Sequence, residues 1–134
     1  MSYKIEYSHK GKISGRFELP ASKSISNRVL IINALSGSDK SVANLAKCDD
    51  TDVMVKALTS DSHLVDIGAA GTSMRFLTAY LSIKPGEWTI TGSQRMKERP
   101  IQILVDALRS IGADIEYAEN EGFPPLKIRG KEID

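Results

Sequence analysis

The sequence predicts an α/β protein in which helices pack on sheets. Apolar residues recur with period two in some segments and at helical spacing in others, and the two kinds of segment alternate along the chain. Glycine and proline mark most of the boundaries between them. The chain has 134 residues, of which 41% are hydrophobic and 26% charged, a size and composition typical of one globular domain. Alternating strands and helices are typical of layered α/β folds.

Four helices are predicted from apolar spacing and from residues that suit helix ends. The first follows Pro20, takes Ser22 or Ser24 as its N-cap and stops before Gly37. The fourth has the clearest pattern, with Pro100 near its first turn and Gly112 after its last. The predicted helices run from the first cap to about residue 35, from 49 to 58, from 72 to 81 and from about 100 to 111.

Seven short strands are predicted, the most regular of them between the glycine at position 11 and Pro20. There Ile13, Gly15, Phe17 and Leu19 alternate with polar residues. The last two strands flank a turn at residues 122–125, and residues 92–99 are expected to form a polar, charged loop. The predicted strands are 3–7, 12–19, 41–45, 64–67, 87–91, 114–118 and 126–129.

Charge and cysteine content exclude several classes of protein. A net charge of +1 argues against a general nucleic-acid or membrane-surface binder. A single cysteine, Cys48, cannot form an intrachain disulfide and favours a reducing cytoplasm. Residues 1–12 lack the apolar core of a signal peptide, and no run has the ~20 apolar residues of a membrane span.

The stretch LPASKSISNR, residues 19–28, is the first candidate site. It joins a strand end to a helix start, where free backbone N–H groups attract anions. Lys23 and Arg28 are five positions apart, about 140° around a helix, so they bracket a phosphate only if Lys23 precedes the regular helix. Ser24 adds a hydroxyl donor. The alternative is a capped helix with solvated charges, and the Walker A pattern is absent.

Two further connections between strand and helix are candidates for anion binding. In DIGAAGTSMR, residues 66–75, small residues let backbone amides approach a ligand, and Thr72 can cap the next helix. The alternative is a tightly packed turn. GSQRMKERP, residues 92–100, carries three cations, and arginine suits planar carboxylates and phosphates. The alternative is a solvated charged face.

Other polar residues are weaker candidates. The aspartates at positions 49, 50 and 52 suggest a metal or acid–base cluster, but carboxylates at a helix start are more simply explained by the helix dipole. His9 and His63 are isolated, so no metal site is expected. Cys48 is interpreted as a small buried residue rather than a nucleophile, and Trp88 and Tyr80 as core residues.

The three stretches together resemble the 5-enolpyruvylshikimate-3-phosphate synthase (EPSP synthase) family. The resemblance lies in LPASKSISNR (19–28), AGTSMR (70–75) and RMKERPI (95–101), in the family's order. It extends through LVDAL (104–108) and GFPPL (122–126), so it covers nearly the whole chain. It implies the enolpyruvyl transferase fold, built from βαβαββ units with helices packed on sheets.

The resemblance also implies a reaction and a set of binding residues. The family transfers the enolpyruvyl group of phosphoenolpyruvate to the 5-hydroxyl of shikimate 3-phosphate and releases phosphate, without a metal or organic cofactor. Lys23 would contact both substrates, and Ser24 and Arg28 would hold shikimate 3-phosphate. The match implies that Gly71, Thr72 and Arg95 bind phosphoenolpyruvate. Arg75 and Arg99 are secondary candidates for substrate binding.

Four departures from the family pattern stand out. Ala69 replaces a usual asparagine, which removes one side-chain hydrogen bond to substrate, and Phe76 replaces a frequent proline. These two changes leave sensitivity to glyphosate, which competes for the phosphoenolpyruvate site, open. The segment between Leu58 and Asp66 is shorter than in many relatives, as if a strand hairpin were missing. The chain is also much shorter than the two-domain enzymes of the family.

The short length leads to several expectations. Residues 1–19 would belong with the other domain, and residues 20–134 would form part of one domain. The proton-transferring Asp and Lys of the family would lie in absent sequence, so no catalytic set is complete and the chain is expected to be an inactive N-terminal fragment. Its expected partners are the two substrates and the remainder of the parent enzyme, with self-association through exposed edges and no nucleic acid or membrane.

Two alternative functions remain. The enolpyruvyl transferase that acts on UDP-N-acetylglucosamine shares the fold, but it lacks the Lys23, Ser24, Asn27, Arg28 pattern and uses a loop cysteine, whereas Cys48 stands in a different context. A non-catalytic anion-binding module or structural fragment is the alternative from another class. Such a module would bind shikimate 3-phosphate without chemistry.

Overall fold

The computed structural model describes residues 3–4, 6, 11 and 14–133. Its helices follow the predicted apolar spacing, and its strands lie between the predicted turns. In chain order the elements are α1 (Lys23–Leu35), α2 (Asp49–Thr59), β1 (Leu64–Asp66), α3 (Gly71–Ile83), β2 (Gly86–Thr91), α4 (Gln94–Lys97), α5 (Gln102–Ser110), β3 (Asp114–Tyr117) and β4 (Leu126–Gly130).

The four strands form one mixed sheet in the order β1-β2-β4-β3. β1 and β2 are parallel, as expected for strands joined by the crossover helix α3. β4 pairs antiparallel with both β2 and β3. The succession β1-α3-β2-α5-β3-β4 is one βαβαββ unit, with α4 as a short addition. The predicted α/β class is therefore confirmed.

The hydrophobic core lies between the sheet and the helices. Alternate residues of β4 face inward, so Leu126 and Ile128 are buried while Lys127 and Arg129 are exposed. The helix α3 supplies most of the opposing surface, with Met74, Leu77 and Leu81. The packing continues through other buried apolar residues, namely Met54, Val65, Ile67, Trp88, Ile90, Met96, Ile101, Val105 and Ile115.

The strand predicted over residues 12–19 is not present in its described part. Residues 14–19 are assigned to no strand, and Phe17 and Leu19 are 86% and 88% exposed. An alternating pattern forms a strand only when a partner pairs with its backbone, and no strand of the described residues does so here. The strand predicted over 3–7 lies partly outside the described residues, and positions 3, 4 and 6 are in no strand.

The strand predicted over residues 41–45 is also wrong. The segment is bound at both ends to side chains of α1 instead of to a strand. Asn33 Nδ2 donates to the carbonyl of residue 40 at 3.1 Å, and the amide of Ala46 donates to Ser26 Oγ at 2.9 Å. Asn44 takes a positive φ of 53°, which interrupts the extended backbone that a strand requires.

A predicted loop and a predicted helix cap differ from the structure. The charged loop predicted over 92–99 contains the short helix α4, which begins because Ser93 Oγ accepts the amide of Met96 at 3.3 Å. Thr72 does not cap α3, because that helix starts one residue earlier and Ala70 occupies the N-cap. Within the described residues, no helix combines the length and the apolar character needed to cross a membrane.

Candidate functional site

The first turns of three helices meet around Asp50. Lys23 is the first residue of α1, and its Nζ lies 3.0 Å from Asp50 Oδ1 in the first turn of α2. Ser73, in the first turn of α3, donates its hydroxyl to the Asp50 carbonyl at 3.0 Å. The amino ends of the three helices therefore lie side by side. Each carries a partial positive charge from its free N–H groups, and the carboxylates in the first turn of α2 offset part of that charge.

Lys23 keeps its positive charge at this junction. The hydrogen bond that Lys23 donates to Asp50, and then the negative charge of that carboxylate, raise the pKa of Lys23 above its ordinary value. The Lys23 side chain remains half exposed, so its ammonium, with three donors, is open to a ligand as well. Ser22 caps the helix through its Oγ, which accepts the amide of Ile25 at 3.4 Å.

Arg28 lies one turn further along α1 and faces α3. Its Nη1 donates to the carbonyl of Ser24 at 2.9 Å, and its Cζ lies 5.6 Å from the centre of the Phe76 ring. The two cations could bracket one phosphate at the helix start only if Lys23 preceded the helix. Lys23 is instead the first residue of α1 and turns toward α2, so this condition is not met. Lys23 and Arg28 instead belong to two adjacent helix contacts, one with α2 and one with α3.

A small pocket lies at the carboxyl ends of the parallel strands β1 and β2. It has a volume of about 220 Å³ and is lined by Ala69, Arg95, Met96 and Arg99. The two connections that form it are bound together, since the amide of Ser93 donates to the carbonyl of residue 68 at 2.9 Å. Ligands of open α/β sheets collect at this end of parallel strands.

Gly71 brings the start of α3 into contact with Arg99. A Cβ at position 71 would overlap the guanidinium of Arg99, first at Nη1, so the absence of a side chain permits this approach. Arg95 and Arg99 thus lie beside the amino end of α3, with Thr72 half-buried in its first turn. Two guanidinium groups and a helix amino end form a local positive surface on a protein whose net charge is only +1.

Arg75 has a different position from the other candidate cations. Its Nη1 donates to the Gly71 carbonyl and its Nη2 to the Pro100 carbonyl, both at 3.2 Å. The side chain therefore joins the start of α3 to the segment before α5. This bond pattern holds the pocket walls together, and it engages two of the guanidinium nitrogens that a ligand would otherwise use.

A buried polar contact joins α1 to α2 between Asn27 and Thr51, and the sequence did not predict this contact. Asn27 is fully buried on α1, and its Oδ1 accepts the hydroxyl of Thr51 on α2 at 3.0 Å. Asn27 Nδ2 has no partner among the described residues. One pattern in the sequence could have revealed the burial of Asn27. Lys23, Asn27 and Leu30 follow each other at helical spacing, which puts the Asn27 side chain on the same face of α1 as the apolar Leu30.

The aspartates at the start of α2 have one contact that the sequence did not predict. Asp49, Asp50 and Asp52 lie in the first turn of α2, where the dipole interpretation expects them, but Asp50 additionally pairs with Lys23 of another helix. Spacing within one helix cannot reveal a partner 27 residues away. Across residues 3–4, 6, 11 and 14–133, no three His, Cys, Asp or Glu side chains are grouped as a metal site requires.

Comparison with known proteins gives one consistent family. The model of the family described as EPSP synthase (3-phosphoshikimate 1-carboxyvinyltransferase) matches residues 7–60 and 58–134. A relative from Bacteroides fragilis (strain YCH46), named 3-phosphoshikimate 1-carboxyvinyltransferase, is 64% identical over 122 residues, which are 91% of this chain and 30% of that protein. A relative of the same name from Burkholderia multivorans is 45% identical in an alignment 139 positions long that covers 87% of this chain and 32% of that protein.

The comparison with solved structures agrees on the fold. A structure of EPSP synthase from Acinetobacter baumannii superposes with a TM-score of 0.73 at 23% identity, over 87% of this chain and 32% of that chain. At this identity the superposition establishes the fold of the matched region. The chain spans about 30% of the length of the relatives it matches.

Proposed function

This chain belongs to the EPSP synthase family, and we propose that it forms the N-terminal part of an enzyme that transfers the enolpyruvyl group of phosphoenolpyruvate to shikimate 3-phosphate. The observation that carries the proposal is the meeting of three helix amino ends at Lys23 and Asp50. Two anionic substrates repel each other, and fixed cations with helix dipoles offset that repulsion when they are held in place before binding.

The proposed reaction is an addition followed by an elimination. The 5-hydroxyl of shikimate 3-phosphate loses its proton as its oxygen bonds to C2 of phosphoenolpyruvate, while the C2–C3 double bond becomes single and C3 gains a proton. The phosphate group then leaves C2 and C3 loses a proton, so the enolpyruvyl group ends on the shikimate oxygen. No metal or organic cofactor takes part in this scheme. The groups that move the protons belong to family sequence beyond the matched region, so the isolated chain is proposed to be inactive.

The shikimate 3-phosphate site is assigned to Lys23, Ser24 and Arg28. Because the two cations face different helices, we propose that they contact different parts of the substrate and not one shared phosphate. The bonds of Lys23 to Asp50 and of Arg28 to the Ser24 carbonyl restrict their orientation. Preorganised cations lose less side-chain entropy when they bind an anion. Lys23 stands at the amino end of α1, where it can also contact the second substrate.

The phosphoenolpyruvate site is assigned to the pocket beside Gly71. Arg95 lines that pocket together with Arg99, and the amino end of α3 through Thr72 adds free N–H groups. Guanidinium groups bind carboxylate and phosphate through paired donors. Arg75 is proposed to fix the start of α3 against the segment before α5 through its two backbone contacts, rather than to bind the ligand directly.

The arrangement of the whole enzyme is also part of the proposal. Residues 1–19 would contribute to a second domain, and residues 20–134 to the domain that carries the cations. The natural partners would be the two small substrates and the remaining two thirds of an enzyme of the relatives' length. A biosynthetic enzyme of this kind would act in the cytoplasm.

A binding titration tests the proposal. We expect shikimate 3-phosphate to bind the purified chain in isothermal calorimetry and the Lys23→Ala variant to bind about tenfold more weakly, the usual loss for a hydrogen bond to a charged group. Lys56→Ala removes an exposed lysine of α2 outside the site and should bind as wild type does. Equal binding by wild type and both variants, or no binding by any, would contradict the site assignment. Phosphate release from both substrates by the isolated chain would contradict its proposed inactivity.

A further inference from the structure

One edge of the sheet is formed by β3, which among the described residues pairs with β4 alone. The hydrogen bonds of an antiparallel pair alternate along its strands. The amide of Ala118 donates to the carbonyl of Pro125 at 2.9 Å and continues the β3–β4 register, so the even-numbered residues of β3 bond to β4. The backbone groups of Ile115 and Tyr117 therefore point away from β4, toward the free edge.

A free strand edge is a template for a strand of another chain. Two such edges pair antiparallel about a two-fold axis by exchanging bonds between their outward amides and carbonyls. The acidic side chains of β3 oppose this pairing only weakly, because β4 balances them. Arg129 Nη1 lies 3.0 Å from Asp114 Oδ2, and Lys127 is the cross-strand neighbour of Glu116. Protection of this edge therefore depends on what occupies its backbone groups.

Arg109 occupies one of the outward carbonyls of β3. From the last turn of α5, its Nε and Nη2 both donate to the carbonyl of Ile115, at 3.0 and 2.6 Å. Its Cζ lies 5.1 Å from the centre of the Tyr117 ring, within the range of a cation–π contact. The guanidinium is thus held by two residues of β3, and a strand that paired with this edge would have to displace it.

We propose that Arg109 closes the free edge of β3 and so prevents that edge from pairing with the same edge of a second copy of this chain. Hydrogen bonds from a guanidinium are charge-assisted and stronger than those from a neutral amide, so an incoming strand would replace strong bonds with weaker ones. Self-association through exposed edges, expected from the sequence, is therefore opposed at β3. This edge contains none of the residues assigned to the anion site, so its closure does not depend on the proposed function.

The opposite edge of the sheet, formed by β1, has a similar arrangement on a smaller scale. β1 contains three residues, and positions 63 and 67 on either side of it bond to β2. The backbone of Leu64 therefore points away from β2. Ser62 Oγ donates to the Leu64 carbonyl at 2.9 Å and accepts the Leu64 amide at 3.2 Å. Each edge of the sheet thus carries a side chain bonded to outward backbone groups.

A purely local role for Arg109 would be to fix β3 against the end of α5. Arg109→Met separates this role from closure of the edge, because it keeps an unbranched apolar chain at the position and removes every donor. The local role predicts a less stable chain that associates no more than wild type does. Closure of the edge predicts that the variant gains association through β3.

Sedimentation equilibrium between about 1 and 200 µM measures the association. We expect the mean mass of Arg109→Met to rise with concentration above that of wild type. Lys47→Met removes the same charge from an exposed residue outside the sheet and should match wild type. Arg109→Lys keeps the charge but lacks the paired donors, so it gives a milder form of the test and should associate between the two. Circular dichroism verifies that each variant keeps its secondary structure.

Hydrogen exchange at the highest concentration identifies the surface that pairs. We expect the amides of Ile115 and Tyr117 to exchange about tenfold more slowly in Arg109→Met than in wild type, because pairing gives these outward amides a partner. Association without slower exchange at these two amides would place the contact elsewhere and overturn the proposal. Arg109 variants that associate no more than wild type, or a Lys47→Met variant that associates as strongly as Arg109→Met, would overturn it as well.

Discussion

The ammonium of Lys23 lies 3.0 Å from Oδ1 of Asp50, and this contact joins the first turns of two helices. Ser73 extends the junction to a third helix through its bond to the Asp50 carbonyl. One aspartate thus aligns three helix amino ends with its side chain and its backbone. The arrangement brings Lys23 and three helix amino ends to the place where the family resemblance expects two anions, beside the carboxylates in the first turn of α2.

The first prediction concerns the charge of Lys23. Since Asp50 raises the pKa of Lys23 above its ordinary value of 10.5, Asp50→Asn should lower the pKa of Lys23, as measured from the pH dependence of its ¹³Cε chemical shift. Asp52→Asn removes a carboxylate of the same turn that has no bond to Lys23, and it should change the pKa far less.

The same pair has a consequence for stability. Because folding raises the pKa of Lys23, the stability that the Lys23–Asp50 ion pair contributes is fully present below pH 10.5. It is lost as the pH rises through the raised pKa that Lys23 has in the folded chain. Thermal unfolding across that alkaline range should show the loss in wild type and not in Asp50→Asn. An equal decline in both proteins would show that the pair has no measurable linkage.

The second prediction concerns the buried polar contact between Asn27 and Thr51. Thr51→Val removes the hydroxyl bound to Asn27 Oδ1 and leaves a fully buried amide without a partner. We expect a loss of about 1–3 kcal/mol in the free energy of unfolding measured with urea. Thr59→Val on the same helix removes an exposed hydroxyl bond to a backbone carbonyl and should cost less than about 0.5 kcal/mol. Similar losses in the two variants would contradict the importance of burial.

The third prediction compares two glycines in close contacts. A Cβ at Gly130 would overlap the backbone carbonyls of Leu81 and Lys84 at the end of α3, whereas one at Gly71 would meet only the flexible end of Arg99. Gly130→Ala should therefore destabilise the chain by about 3 kcal/mol or more, because backbone cannot move aside. Gly71→Ala should cost less than about 1 kcal/mol. Urea unfolding midpoints measure both, and the reverse order would contradict the packing described.

The fourth prediction concerns the residue at the rim of the small pocket. Ala69 lines that pocket, at the position where the family resemblance implies an asparagine. If phosphoenolpyruvate binds there, Ala69→Asn should restore a hydrogen bond and strengthen its binding about fivefold, the equivalent of ~1 kcal/mol. Ala69→Leu, which adds bulk without a donor, should not strengthen binding in the same calorimetric titration. A gain with leucine would indicate that apolar contact, and not the amide, is responsible.

Local pattern predicted the helices better than the strands. The apolar spacing and the flanking glycine and proline residues of α3 and α5 were sufficient, because a helix completes its hydrogen bonds within one segment. The alternation of residues 12–19 and 41–45 was misleading. A strand needs a partner strand, and the described residues 14–19 and 41–45 are in no strand. The second of these segments is flanked instead by backbone bonds to side chains of α1.

The sequence by itself determined the family, the α/β class and the identity of the candidate cations, because these depend on residue types in order along the chain. Only the tertiary structure decided which residues meet: Asp50 with Lys23, Phe76 with Arg28, and Arg99 with Gly71. These contacts join segments more than 20 residues apart, and side-chain spacing within one helix or strand carries no information about its neighbours. Packing of α3 and α5 against the sheet, and of α1 and α2 against α3, supplies that information, since it fixes which ends lie together.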